Sequence, residues 1–493
     1  MREKYGNVIG GRVDVEGAEV NLRSPADGSQ LTTVVQASRA KTEEAIDAAA
    51  DAFRGWSKTS VRDRQALLLK LSERIQSRAE EYATLETLNT GKTIRQSSMM
   101  DLPLGIEHIR YFATTSEVPM TREIEHPEFP GTKGVVQYEP MGVVGAIAPW
   151  NLPFLMAVWK VGPALLAGNT VVLKPSHYTP LTALELAMDA KDVGFPDGVL
   201  SVLTGVGSTV GETLVSSPKV NMISFTGSTE TGERVISGSR GIKKFTLELG
   251  GKSPNIVFAD ADLEKAVKGV MFGIYLNSGQ LCESGSRLIV QSSIRDRFLS
   301  KLKGAMERMR AGSPFDMETD VSAITTEEQK TKIESMLEAG LEGGAHMYYQ
   351  KPIAQTVPKG GLYCAPSLLT DVPESSELAR EEVFGPILVA MEFSSEQDAV
   401  AIANDTEYGL AAGVWSRDIQ KAKRVASGIE AGTVWVNEYH LLSAAAPRGG
   451  FKKSGIGREL GLEGITEFTQ TRHIFVNEGA DIDEVAYGLI LPE

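Results

Sequence analysis

Apolar positions along the chain change their period near residue 143. Before that point Ala45, Ile46, Ala49, Ala52, Phe53 and Trp56 recur at helical spacing, with Thr42 as the expected cap. A second helix is expected from about Ser60 toward Leu88, ending near Gly91. From residue 143 onward, β-rich runs at 143–148, 170–173, 200–203, 222–225 and 245–247 alternate with helical patterns at 157–167, 180–193, 208–215 and 230–237. Strands that alternate with helices predict an α/β fold on a doubly wound parallel sheet. Such a sheet binds ligands beyond the carboxyl ends of its strands. A second α/β region opens with a strand at 255–258 and a helix from Asp262 toward Tyr275, and runs to about Gly450. The chain ends with β-prone residues at 472–476 and a tail at 481–493 whose stretch 485–491 is apolar.

Length and composition narrow the class. At roughly 100–200 residues per domain, 493 residues make two or three domains. A net charge of −14 disfavours nucleic acid and anionic membranes, both of which need clustered Lys and Arg. No secretory leader and no membrane-length apolar run is visible. Two cysteines, Cys282 and Cys364, are too few for a disulfide framework and suit a reducing cytoplasm. The six histidines are scattered without ligand spacing, so no metal site is expected.

Chemistry concentrates at a few positions. Cys282 sits in a polar, glycine-flanked segment, Asn277-Ser-Gly-Gln-Leu-Cys-Glu-Ser-Gly-Ser286, whereas Cys364 reads as a small filler. A thiol of ordinary pKa, about 8.5, needs help from its surroundings to act as a nucleophile. Glu248 closes a strand just before Gly250 and Gly251, and reads either as a catalytic acid or as an exposed loop residue. Asn151, in the rigid turn Pro149-Trp-Asn-Leu-Pro153, reads as an oxyanion donor or as a helix cap. Lys174 ends the next strand within reach of a cofactor phosphate or ribose. Two glycine-rich turns, 205–211 and 225–232, each follow a strand and open a helix, where backbone N–H groups receive phosphate. Neither matches the Gly-x-Gly-x-x-Gly fingerprint.

Taken in order, these motifs resemble the aldehyde dehydrogenase superfamily of the hydrolytic, non-acylating type. The series comprises Pro149-Trp-Asn, Lys174-Pro-Ser, Phe225-Thr-Gly-Ser, Glu248-Leu-Gly-Gly-Lys, Gly279-Gln-x-Cys282, Glu382-Val-Phe-Gly-Pro386, Asn404-x-x-x-Tyr-Gly-Leu410, Trp435-Val-Asn437 and Gly449-Gly-Phe-Lys-x-Ser-Gly455. The resemblance implies a dinucleotide-binding domain at 1–120 and 141–249 and a catalytic domain at 250–449. An oligomerisation element and tail would occupy 121–140 and 470–493. It further implies that Cys282 attacks the aldehyde to form a thiohemiacetal and then a thioester, hydride passing to NAD or NADP. Asn151 and the Cys282 N–H would hold the oxyanion, and Glu248 would activate water to release the acid. Members that pass the acyl group to coenzyme A or phosphate commonly lack the base at Glu248. A silent member would lack Cys282, Glu248 or Asn151, and all three are present.

By the same resemblance Lys174 and Glu382 hold ribose hydroxyls, Phe384 packs near the nicotinamide, and Gly227 and Ser228 bind pyrophosphate. Ile147, Ala148, Pro149, Trp150, Ser176, His177, Gly207, Gly211, Phe225, Thr226 and Leu249 complete the cofactor set. His177 stands where many NAD-preferring members carry an acid, so use of either NAD or NADP is expected. The substrate tunnel is expected from Leu152, Met156, Trp159, Leu281, Glu283, Tyr439, His440, Leu442 and Arg448. Arg448 either receives a substrate carboxylate or bridges to a local acid such as Glu438. A homodimer or homotetramer is implied, bridged by the β-prone C-terminal segment and residues 121–138, with the apolar tail packing on a neighbouring subunit.

Overall fold

The computed structural model describes residues 1–119 and 121–479. The tail at 481–493, and the expectation that it packs on a neighbour, lie outside the described residues.

Five short strands of apolar residues form the parallel centre of the first sheet. Their order is Lys244–Glu248, Met222–Thr226, Val143–Ile147, Thr170–Lys174 and Leu200–Val202. The middle three are buried along their whole length, as strands covered on both faces must be. Antiparallel strands close the sheet: Gly455–Ile456 at one edge, and Asn7–Ile9 with Arg12–Asp14 at the other. Strand order reverses between Val143–Ile147 and Met222–Thr226. The crevice at that reversal is where such sheets take a ligand. Pro149-Trp-Asn and Gly227-Ser228 both emerge there.

A second sheet has seven strands, in the order His346–Gln350, Ser367–Thr370, Ile387–Phe393, Arg287–Gln291, Pro254–Val257, Ala411–Trp415 and Thr433–Val436. Only the first of these runs antiparallel to its neighbour. Two smaller sheets flank the pair. One joins Lys4–Tyr5, Gln30–Gln36 and Ala18–Arg23. The other pairs Thr469–Asn477 with Thr132–Pro140 and Arg122–Glu125, as expected for the C-terminal β-prone residues.

The N-terminal helices differ from the expectation in two places. Ser38, not Thr42, caps the first helix, Arg39–Trp56, accepting from the Lys41 N–H at 3.2 Å. Thr42 is buried in the first turn and its hydroxyl donates to the Ser38 carbonyl at 2.9 Å. The expected long helix is two, Val61–Ser77 and Ala79–Thr90. Arg78 breaks it because its guanidinium turns inward to Glu185 at 2.8 Å and Asp189 at 2.7 Å. The end at Gly91 stands, since this residue is left-handed with φ 76°.

Candidate active site

The Cys282 segment begins where the helix Leu263–Tyr275, capped by Asp262, stops. Asn277 and Ser278 both adopt left-handed backbone, φ 49° and 51°, and turn the chain back toward the first sheet. Gln280 then fixes the loop. Its amide donates to the carbonyls of Asn277 and Ala323 at 2.9 and 3.0 Å, and its oxygen accepts from the Thr325 N–H at 2.9 Å. Glycines permit the close packing around Cys282. A Cβ on Gly251 would lie 2.2 Å from the Cys282 carbonyl oxygen, and one on Gly279 would lie 2.1 Å from the Gly385 carbonyl oxygen.

Cys282 is half-buried in a cavity of about 160 Å³. The same cavity is lined by Asn151, Glu248, Leu249, Glu382 and Phe384, together with Leu152, Met156, Trp159, Leu281, Glu283, Leu442 and Arg448. Seven of the nine expected tunnel residues thus share the cavity with Cys282. Tyr439 does not line it. It is buried behind the wall, its hydroxyl donating to the Glu283 carbonyl at 2.8 Å. His440 is likewise behind the wall and binds Glu283.

Asn151 approaches the Cys282 loop directly, its amide donating to the Gln280 carbonyl at 2.8 Å. That bond uses one of two amide hydrogens and leaves the other for an oxyanion. Asn151 is no helix cap: the helix Pro153–Leu166 has Leu152 at its cap position and no side-chain cap.

Glu248 is buried at the end of its strand, not on an exposed loop. Burial pushes its carboxyl up to about 8, Glu459 pushes the same way, and Arg448 and Lys160 pull against them. Lys160 and Glu459 are a pair that local reading misses. Lys160 Nζ lies 2.7 Å from Glu459 Oε1 and 3.2 Å from the Ser224 hydroxyl, all of them buried. One signal was available: Lys160 is the single charge in the otherwise apolar helix Pro153–Leu166.

Arg448 bridges to an acid, but to Glu283 through its Nη2 and not to Glu438, which lies 3.9 Å from Lys265. The guanidinium also covers the Trp159 ring at 5.4 Å, and its Nη2 lies 3.9 Å from Cys282 Sγ. Trp159 is held from behind by its N–H, which donates to His108 Nδ1 at 2.8 Å. Burial lowers His108 to about 4, so that nitrogen is free to accept.

A groove of about 720 Å³ joins this cavity. Pro149, Trp150, Thr226, Gly227 and Ser228 line both. The remaining expected cofactor residues, Ile147, Ala148, Lys174, Ser176, His177, Gly207, Gly211 and Phe225, line the groove. Leu249, Glu382 and Phe384 stand on the cavity side of the shared wall. The groove fits a dinucleotide on its own features. Thr226 Oγ1 is buried with no partner among the described residues, and a Cβ on Gly207 would meet nothing within 4 Å. Ser228 caps the helix Thr229–Gly238, leaving its first N–H groups toward the groove. Lys174 Nζ donates to the Pro175 carbonyl at 3.1 Å, and burial lowers it to about 8. Burial and neighbouring Lys174 also lower His177. Glu382 Oε1 accepts from the Gly251 N–H at 3.0 Å, and burial raises its carboxyl to about 7. Phe384 is left-handed, φ 57°, and meets the Trp150 ring edge-on at 5.2 Å.

Comparison with known proteins agrees with this geometry. The model of the aldehyde dehydrogenase family matches residues 13–474. The chain belongs to the aldehyde dehydrogenase family. A betaine aldehyde dehydrogenase of Bacillus subtilis (strain 168) is 41% identical over 462 residues, 93% of this chain and 94% of that protein. The crystal structure of a betaine aldehyde dehydrogenase from Staphylococcus aureus, in complex with NAD+, superposes with a TM-score of 0.93 at 38% identity. It covers 97% of this chain and 96% of that one. An NAD-dependent aldehyde dehydrogenase from Sinorhizobium meliloti gives the same TM-score, 0.93, at 37% identity, covering 97% and 95%. This family member is an NAD(P)-dependent oxidoreductase of aldehydes. No helix among the described residues is long and apolar enough to cross a membrane, and none of their His, Cys, Asp and Glu groups could hold a metal ion.

Proposed function

We propose that this aldehyde dehydrogenase oxidises uncharged aldehydes to carboxylic acids through a thiohemiacetal and a thioester on Cys282, with water as the acyl acceptor. The observation that carries the reading is one cavity lined by Cys282, Asn151 and Glu248 that opens into a dinucleotide-sized groove. When bound, the nicotinamide supplies the hydride acceptor. Cys282 Sγ attacks the aldehyde carbon. The free hydrogen of the Asn151 amide and the Cys282 N–H stabilise the oxygen that becomes anionic. Glu248, a base with its carboxyl raised to about 8, takes the proton of the water that opens the thioester. Lys174 and Glu382 orient the ribose hydroxyls, and Phe384 with Trp150 bounds the passage between groove and cavity.

The substrate class follows from Arg448 and its surroundings. An aromatic face is the usual receptor for a quaternary ammonium group. Here the guanidinium of Arg448 already covers Trp159. Arg448 is already ion-paired with Glu283, so a substrate carboxylate would have to compete with that carboxylate for it. Leu152, Met156, Leu281 and Leu442 supply an apolar lining. Uncharged aliphatic or aromatic aldehydes suit that lining better than either charged class.

Both NAD and NADP are proposed as cofactors. No acid stands at His177 to repel a 2′-phosphate, and Arg39, Arg234 and Arg240 line the same groove. We also place the protein in the cytoplasm, on its two free cysteines, and assign it a homodimeric or homotetrameric assembly. The three-stranded sheet supports assembly, with Ile474 and Phe475 exposed on its edge strand Thr469–Asn477.

One experiment tests these points together: a panel of uncharged, carboxylated and quaternary-ammonium aldehydes, run with NAD and with NADP, with and without coenzyme A. Free acid as product, with uncharged aldehydes preferred, is expected. Product appearing only as a coenzyme A thioester would establish the acylating alternative. A preference for NAD above about a hundredfold would remove dual cofactor use. Loss of a preference for carboxylated aldehydes in Arg448→Ala would restore the carboxylate role of Arg448.

A further inference from the structure

We propose that Arg448 is a catalytic residue, the counter-ion of the Cys282 thiolate, and that Glu283 and His440 set how much of its charge reaches the sulfur. The inference rests on Cys282 being the nucleophile. Arg448 Nη2 lies 3.9 Å from Sγ. Its Nη1 is buried with no acceptor among the described residues, so the guanidinium is only partly satisfied by Glu283.

Glu283 is itself divided between two partners. Its Oε1 lies 2.8 Å from His440 Nδ1, and His440 Nε2 lies 3.1 Å from the Gly273 carbonyl oxygen. Burial raises Glu283, but Arg448 and His440 outweigh it and hold the carboxyl at about 2, so it is a carboxylate. Both nitrogens of His440 face oxygens. The Glu283 carboxylate is thus shared between Arg448 and His440, which leaves part of the Arg448 charge for Cys282 beside it.

Other charges face the sulfur as well. Glu248 and Glu382 oppose ionisation of the thiol, as does Glu283, while Glu459 and Lys332 line the same cavity. Burial pushes the Cys282 thiol up to about 12, and Arg448 is the largest influence in the opposite direction. The proton lost from the thiol passes to water in the half-open cavity, and no bond other than S–H changes.

The direct test is the pH midpoint of Cys282 alkylation by iodoacetamide on the full chain, read by mass spectrometry with Cys364 as the internal gauge of folding. Cys364 is buried and stays unlabelled in folded protein. Arg448→Met is expected to raise the Cys282 midpoint by about one unit or more, roughly a tenfold loss of rate on the rising limb. Glu283→Gln is expected to lower it, because an anion beside the sulfur is gone. Opposite shifts from two neighbouring variants are not what loosened packing gives. An unchanged midpoint in Arg448→Met, or shifts of the same sign in both variants, overturns the proposal. If Arg448→Met labels Cys364, Arg448→Lys takes its place: its midpoint must stay close to that of the unaltered protein while Glu283→Gln falls, and any other pattern overturns the proposal. Failure of the underlying reading looks different. A Cys282→Ser protein that still oxidised aldehydes would remove Cys282 as nucleophile, whatever the midpoints.

Discussion

Two buried charge clusters adjoin the same cavity, and they are built to opposite ends. Behind Glu248, Lys160 and Glu459 form one cation against one anion. Glu248 gains little net attraction from that neutral pair, so burial dominates and its carboxyl rises to about 8. Beside Cys282, Arg448 and His440 bracket the single carboxylate of Glu283. In the roles proposed for them, Glu248 as a water base needs appreciable proton affinity near neutral pH, whereas Cys282 as a nucleophile needs its proton removed. The partners of each carboxylate match the proposed task of the group the cluster adjoins.

The largest expected effect comes from removing the base altogether. Glu248→Gln should lower steady-state turnover by about 10²–10⁴-fold while a first turnover survives. Stopped-flow kinetics checks this, and loss of the burst together with turnover would mean that Glu248 also serves the first half-reaction. Next is Lys160→Met, which leaves Glu459 buried without its cation. Breaking such a pair costs about 3–5 kcal/mol, measurable by denaturant unfolding. In the same variant the rise of turnover with pH, centred near 8 for the unaltered protein, should move upward, because a cation that favours the Glu248 carboxylate is gone.

Stability carries the same signature with its own sign. The raised folded value of Glu248 means the folded chain binds more protons than the unfolded one between about 4.5 and 8. Its contribution is therefore full below that window and lost as pH rises through it. Glu248→Gln should flatten this slope in melting curves taken from pH 5 to 8; an unchanged slope would mean that Glu248 is not the group responsible. The smallest effect belongs to the other cluster. Tyr439→Phe deletes one hydrogen bond to the Glu283 carbonyl, about 1 kcal/mol of stability by thermal melting, and should barely move the alkylation midpoint.

Local pattern made much of this legible. Strands covered on both faces are short apolar runs, so the parallel centre of the first sheet is visible in sequence, and chemistry placed at strand ends follows from it. Glu248, Lys174 and Asn151 were found in that way. Pairings across long separations were not. Arg448 is 166 positions from Cys282. Lys160 and Glu459 are 299 apart. No periodicity encodes such partners, which is why Arg448 reads from sequence as receiving a substrate carboxylate or bridging to a local acid such as Glu438, and Tyr439 as lining the tunnel. The break at Arg78 was hidden for the same reason: an apolar period continues through it, while the ion pairs that turn it inward come from another helix.

The contact of Gly279 with Gly385 has a mechanical consequence. Bare backbone there rests on bare backbone, at a separation that no side chain could share. The segment bearing Cys282 and the turn bearing Glu382 and Phe384 are thereby keyed to each other like two teeth of a gear. A shift of that turn would be passed on to the Cys282 segment.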